Sequence, residues 1–215
     1  MDQQEVRVEA GRRLFAKECA FVIGCAGLDQ LPAHDKVEVA FAGRSNVGKS
    51  SLINGLTRRR DLARASATPG RTQQINFFDL AESVYLVDLP GYGYAKAPEK
   101  QVKSWNNLVC NYLRGRPTLR RVFLLIDSRH GVTKKDEEVM TMLDKAAVVF
   151  QIIMTKCDKP NKTELTKNRT AVEAVMKKHT AAYPEVIVTS SQKDIGLDEV
   201  RAQIAELADV CNQLN

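Results

Sequence analysis

Short apolar runs alternate with amphipathic stretches from residue 37 onward. VEVAFAG (37–43), QINFFDL (74–80), VYLVDL (84–89), RVFLLID (121–127), AVVFQIIM (147–154) and EVIVTS (185–190) predict six strands. Helical spacing predicts helices from about Lys49 and near 99–114, 134–145, 163–181 and 197–212. The strand runs are too continuously apolar for a sheet with one wet face. They predict an α/β fold: a mainly parallel six-stranded sheet covered by helices on both faces, with ligands at the carboxyl ends of the strands. Ahead of it, Val8, Leu14, Phe15, Cys19, Phe21, Val22 and Ile23 lie among charged residues and predict one amphipathic helix within 6–27, ending near Gly24 or Gly27. Pro32 then separates a helical extension (1–34), packed on the domain, from the main domain (35–215). The stretch RRRDLARASATPGRTQ at 58–73 has no clear period and predicts a functional loop.

Composition sharpens this picture by exclusion. With 215 residues, 44% hydrophobic and 27% charged, the chain has globular usage and enough length for one domain with a real core. No apolar run approaches the roughly 20 residues that span a bilayer, and MDQQEVRVEAGRR fits neither a secretory signal nor a transit peptide. A soluble, cytoplasmic monomer with no membrane insertion is expected. Five scattered cysteines, Cys19, Cys25, Cys110, Cys157 and Cys211, form no CxxC and read as reduced thiols. A net charge of +6 and a pI near 9.1 favour an anionic partner. The excess gathers at Arg58, Arg59, Arg60, Arg64, Arg71, Lys96, Lys100, Lys103, Arg114, Arg116, Arg120 and Arg121, which makes nucleic acid the leading candidate.

The strand at 37–43 runs into Gly43-Arg44-Ser45-Asn46-Val47-Gly48-Lys49-Ser50, a GxxxxGKS. Glycines let the backbone wrap around phosphates with its N–H groups inward, and the following helix adds its positive end. Lys49 reaches the β- and γ-phosphates, and the Ser50 hydroxyl serves Mg²⁺. This loop alone fits ATPases, small-molecule kinases and GTPases. Base choice comes from Thr155-Lys156-Cys157-Asp158 at the end of the 147–154 run, a [N/T]KxD turn. Asp158 would accept from the N1–H and exocyclic amine of guanine, and the Lys156 stem would cover the ring. Adenine offers no donors there, and a hydrogen bond to a charged group is worth roughly 1.5–3 kcal/mol. Thr155, in place of asparagine, predicts a looser tie to the phosphate loop. Thr189-Ser190-Ser191 follows the last strand and reads either as a loop offering a backbone N–H to the guanine oxygen or as ordinary helix-cap residues.

With the phosphate loop, TPGRTQ (68–73), DLPGYGYA (88–95), DSRH (127–130), TKCD and TSS in this order, the chain resembles the EngB (YihA/YsxC) family of bacterial GTPases over about residues 35–212. The resemblance implies a Ras-like fold, binding of GTP and GDP with Mg²⁺, a role in assembling the large ribosomal subunit, and an association with septation during cell division. By the same resemblance Thr72 binds Mg²⁺ in switch I, Asp88 holds Mg²⁺ through water, and Gly91 bonds the γ-phosphate. Ser51, Gly70, Arg71, Leu89, Pro90 and Thr189 join the nucleotide-binding set.

Tyr92 stands where many such switches place a water-orienting glutamine. A tyrosine there can shield the site but cannot orient water through an amide, so slow intrinsic hydrolysis is expected. Asn46 suggests a substitute for the missing charge, since in related GTPases an asparagine at this place helps coordinate K⁺; the alternative is a purely local role in the loop. The leading expectation is a GTP-dependent ribosome-assembly factor, the alternative a division or signalling switch that binds protein effectors without RNA.

Overall fold

The computed structural model describes the backbone of residues 2–63, 74–93 and 99–212, and the side chains of these except 99–106 and 209–212. Among these residues seven strands form one sheet: β1 (Cys19–Cys25), β2 (Val37–Gly43), β3 (Ile75–Leu80), β4 (Val84–Asp88), β5 (Leu119–Asp127), β6 (Phe150–Thr155) and β7 (Ile187–Val188), in the order β1-β3-β4-β2-β5-β6-β7. The stretch from β4 through β2, β5 and β6 to β7 is parallel, and β3 pairs antiparallel with β1 and β4. Among the described residues six α-helices accompany them: α1 (Gln3–Phe15), α2 (Lys49–Thr57), α3 (Glu99–Gly115), α4 (Lys134–Lys145), α5 (Lys162–Met176) and α6 (Leu197–Asn212).

Strand alternation divides the interior into two layers. Ala40, Ala42, Val122 and Leu124 face a layer closed by Val109 and Tyr112 of α3, Met140 of α4 and Val172 of α5. Val39, Phe41, Phe123 and Leu125 face the other, closed by Leu52 and Ile53 of α2 and Val200 and Ile204 of α6. Both faces of β2 are therefore buried, as its unbroken apolar run requires.

The amino-terminal segment departs from the single helix expected over 6–27. That helix stops at Phe15, and residues 19–25 form β1, which adds a seventh strand by pairing with β3. CAFVIGC is rich in the β-branched and aromatic residues that suit a pleated surface, and a partner strand was available. The segment thus enters both layers of the structure: β1 completes the sheet, while α1 packs on α6 with Phe15 buried.

Two arginines counted in the surface charge belong to the interior. Arg116 donates through Nε to Glu38 at 2.9 Å, forms a second, ion-paired contact with it, and holds the Pro32 carbonyl at 2.9 Å. Tyr112 and Thr118 hydroxyls complete the Glu38 carboxylate, each at 2.8 Å. Buried charges survive when paired and hydrogen-bonded in this way. Arg121 donates to Gln151 at 2.9 Å and Gln203 at 2.6 Å beneath the Tyr183 ring. Neither side chain is available to an outside partner. Among the described residues no helix is long and apolar enough to cross a membrane, and Cys19, Cys25, Cys110 and Cys157 are free thiols.

Candidate functional site

The carboxyl ends of β2, β5 and β6 converge on one rim, and three loops meet there. The first wraps from Gly43 to Lys49. Gly48 caps α2 at φ 107°, a left-handed conformation that glycine adopts without strain. Asn46 also lies in the left-handed region, at φ 64°, where asparagine is among the few tolerated side chains. At Gly43 a Cβ would stand 2.7 Å from Val47, so the loop closes tightly on its own start. Ser50 and Ser51 follow in the first turn of α2. Lys49 is ion-paired with Asp88, which is mostly buried at the end of β4.

The second loop follows β6 and is tied to the first. Thr155 donates through Oγ1 to the Val47 carbonyl at 2.7 Å, so the threonine keeps the link that was expected to loosen. Lys156 donates to the Asn46 carbonyl at 2.6 Å and to Asp127 at 2.9 Å. Asp127, at the end of β5, also receives Arg129 through Nε and Nη2 at 2.9 and 2.7 Å. Burial pushes the Asp127 carboxyl up, but the hydrogen bonds from Arg129 and Lys156 outweigh it and hold the group well below the usual carboxylate range. Asp127 is a functional candidate without an expected role, standing in the sequence as the acid that closes the apolar run RVFLLID and opens DSRH.

The third loop follows β7. Ser190 donates through Oγ to Asp158 at 2.6 Å, and Lys159 pairs with the other oxygen at 3.0 Å. The Ser190 bond, helped by Lys159, lowers the Asp158 carboxyl and keeps it an acceptor. Ser190 uses its backbone N–H on Ile195, while Thr189 turns its N–H and hydroxyl to Met154 and is buried. Gly196 closes the loop at φ 69°; a Cβ there would sit 2.2 Å from the Val188 carbonyl oxygen.

Beyond Asp88 the chain is fastened to the phosphate loop. Tyr92 donates its N–H to Gly43 at 3.2 Å and accepts from Ser45 N–H at 3.0 Å. Gly91 packs against Ser45, where a Cβ would meet its backbone at 3.3 Å. Leu89 points into the core. The Tyr92 ring is buried too, correcting the shielding role expected of it. Its hydroxyl bonds Asp136, and burial, then Asp136, raises the phenol far above its ordinary value. Gly70, Arg71 and Thr72, with Arg64, Tyr94 and Lys96, lie outside the described residues, as do the side chains of Lys100, Lys103 and Trp105. Of the expected Mg²⁺ ligands, Ser50 and Asp88 are described, a hydroxyl and a carboxylate beside Lys49. Hard oxygens suit Mg²⁺, which keeps several waters and needs few protein ligands.

Comparison with known proteins agrees with this geometry. The family model described as 50S ribosome-binding GTPase matches residues 38–156. A probable GTP-binding protein EngB from Rhodospirillum rubrum is 56% identical over 214 residues, covering 96% of this chain and 93% of its own. A protein of the same description from Cereibacter sphaeroides is 56% identical over 206 residues, covering 96% and 95%. Among solved structures, a probable GTP-binding protein EngB aligns with a TM-score of 0.61 at 21% identity, covering 80% of this chain and 99% of that one. Era of Aquifex aeolicus bound to GDP and AlF4⁻ aligns at 0.62 and 22%, covering 80% and 57%. These two likenesses establish the shared fold.

Proposed function

This chain belongs to the EngB family of GTP-binding proteins and is a GTP-hydrolysing P-loop enzyme; on that premise we propose that its GTP form engages a precursor of the large ribosomal subunit and that hydrolysis releases it. The observation that carries the reading is the physical joining of the three loops. Thr155 and Lys156 fasten the base-reading turn to the backbone of the phosphate loop, and Ser190 aims Asp158.

In this reading the loop from Gly43 to Ser51 wraps the phosphates with its N–H groups. Lys49 leaves Asp88 for the β- and γ-phosphates, and Asp158 accepts from the guanine edge. Ser191 offers its N–H to the guanine oxygen, and Gly91 meets the γ-phosphate. Ser50, Asp88 and Thr72 would hold Mg²⁺, which when bound neutralises charge on the phosphates. Gly70 and Arg71 adjoin Thr72 in the same switch.

Hydrolysis is slow in this reading, because the position after Gly91 holds Tyr92, which turns into the core, in place of a water-orienting glutamine. Asn46 supports stimulation by K⁺: its carbonyl is used by Lys156, but its exposed side-chain amide makes no hydrogen bond to any described residue. Turnover faster in KCl than in NaCl at equal ionic strength is the expected result; equal rates, with and without ribosomal subunits, remove the potassium step. The septation role carried by the resemblance is proposed as a downstream effect of the assembly step.

Sedimentation with large-subunit precursors tests the main reading. Co-migration is expected with a non-hydrolysable GTP analogue, reduced with GDP and reduced by salt. Absence of co-migration in every nucleotide state would sink it in favour of a switch acting on protein effectors.

A further inference from the structure

We propose that the corner where α2 ends and β1 begins is an RNA-docking surface, with Arg58, Arg59 and Arg60 on phosphates and Phe21 beneath a base. The proposal rests on the ribosomal-precursor reading above and names a surface for it.

The three arginines are exposed, and among the described residues no carboxylate pairs with any of them. They stand on a built turn. Arg58 ends α2 in the left-handed region at φ 53°, and Arg59 donates its N–H to the Asn54 carbonyl at 3.1 Å. The Asn54 side chain then staples the turn down: it donates to the carbonyls of Arg60 and Ala63 at 3.0 and 2.9 Å and accepts from Ala63 N–H at 2.8 Å. Ala63 is buried, so the turn is anchored at its far end. Arginine charge held this way loses less freedom on meeting phosphates, which it can grip with two parallel N–H bonds.

Phe21 supplies the second, independent observation. It is 56% exposed on β1, touching Phe78 edge-on with centroids 5.8 Å apart. Cys19 pairs with Leu80, Leu80 with Val84, and Val84 with Val37 at the start of β2, the end toward which α2 runs back, so the arginine turn and the start of β1 lie at one end of the sheet, over the core layer that holds Cys19, Phe78, Leu56 and Ala63. Lys17 lies just before the strand. Asp79 is paired with Lys36, and Lys17 with the three arginines outnumbers Glu18, Asp61 and Glu82 of the adjoining turn by four to three, so the corner stays cationic. A cationic edge with an open aromatic face suits a strand that offers both phosphates and bases; an acidic peptide would leave the ring unused. One helix joins the corner to the phosphate loop. Only the nine residues of α2, about 14 Å, separate it from Lys49, and Arg201 caps that helix through the carbonyls of Leu56 and Gly55 at 3.0 and 2.8 Å.

The test titrates the full-length protein, loaded with a non-hydrolysable GTP analogue, onto a fluorescent oligouridylate and onto large-subunit precursors over a range of salt. The R58Q/R59Q/R60Q variant should flatten the dependence of log K on log salt by about 2, the sum for three single-strand phosphate contacts. F21L, which keeps the strand apolar, should weaken binding about 5- to 100-fold with the salt slope unchanged. GDP affinity and melting temperature should match the parent in both. Parental affinity and slope in both variants would overturn the surface and leave the assembly reading standing, whereas a parent protein that binds neither probe would overturn both.

Discussion

The phenol of Tyr92 donates a 2.7 Å hydrogen bond to Asp136, and both side chains are buried. Asp136 uses its other oxygen on Thr133, receiving the N–H at 2.8 Å and the hydroxyl at 2.6 Å at the start of α4. The residue directly after Gly91, the proposed γ-phosphate contact, is therefore bolted to a helix cap and, through its backbone, to Gly43 and Ser45. Gly93 follows at φ 80°, a left-handed conformation that favours glycine.

Tyr92→Phe isolates that bolt. Removing one donor from a buried carboxylate that keeps two others should cost about 1–2 kcal/mol, or roughly 2–4 °C of melting temperature per kcal/mol for a chain of this size. Single-turnover GTP hydrolysis should be unchanged, because the hydroxyl faces α4. A large loss of hydrolysis with unchanged melting would place the phenol at the phosphates instead.

The turn proposed to read the base makes the second prediction. Asp158→Asn replaces an acceptor with a group that presents donors to the guanine edge. GTP affinity should fall about 10- to 100-fold, from a lost bond to a charged group, while XTP should gain. Competition titrations with both nucleotides measure this, and retained GTP preference would contradict the assignment.

The sequence was informative where one segment sufficed. The apolar runs of β2, β5 and β6 announced strands buried on both faces, and GRSNVGKS and TKCD announced their loops. It was silent where a distant partner decided the outcome. CAFVIGC became a strand because β3, some fifty residues on, offered an edge. Arg116 and Arg121 looked like surface charge because their acceptors, Glu38 and Gln203, lie far away in the chain. Tyr92 could not be distinguished from a site residue until Asp136 was found beside it.

Asp127 gives a pH-dependent prediction. Its carboxyl titrates lower in the folded protein than the value of about 3.9 expected unfolded, so the stabilisation it supplies is complete above about pH 5 and is lost as acid protonates the native group. Asp127→Asn should destabilise the protein at neutral pH, with the gap closing below about pH 4. It should also speed GDP release, since Lys156 loses one of its two anchors. Denaturation at several pH values reads the first effect and stopped-flow exchange the second; a gap independent of pH would show that the charge contributes nothing.

Gly11 sets how α1 sits on the domain. A Cβ there would lie 2.6 Å from the Ala202 nitrogen and 2.7 Å from the Arg201 carbonyl carbon, both backbone atoms of α6 that cannot swing aside. Ion pairs from Arg7 to Glu206 and Arg12 to Asp198 hold the two helices together around that contact. Gly11→Ala gains helix propensity but must spread the helices, and overpacking of this kind typically costs about 1–3 kcal/mol. Arg201, packed near Phe15 of α1, is the residue that caps α2, so a displaced α1 should loosen the end of the helix that begins at Lys49. A lower melting temperature with GDP binding retained is therefore expected, and the loss of stability should be partly recovered by bound GDP. Unchanged melting would mean that α1 rests on α6 without contributing to the stability of the nucleotide-binding unit.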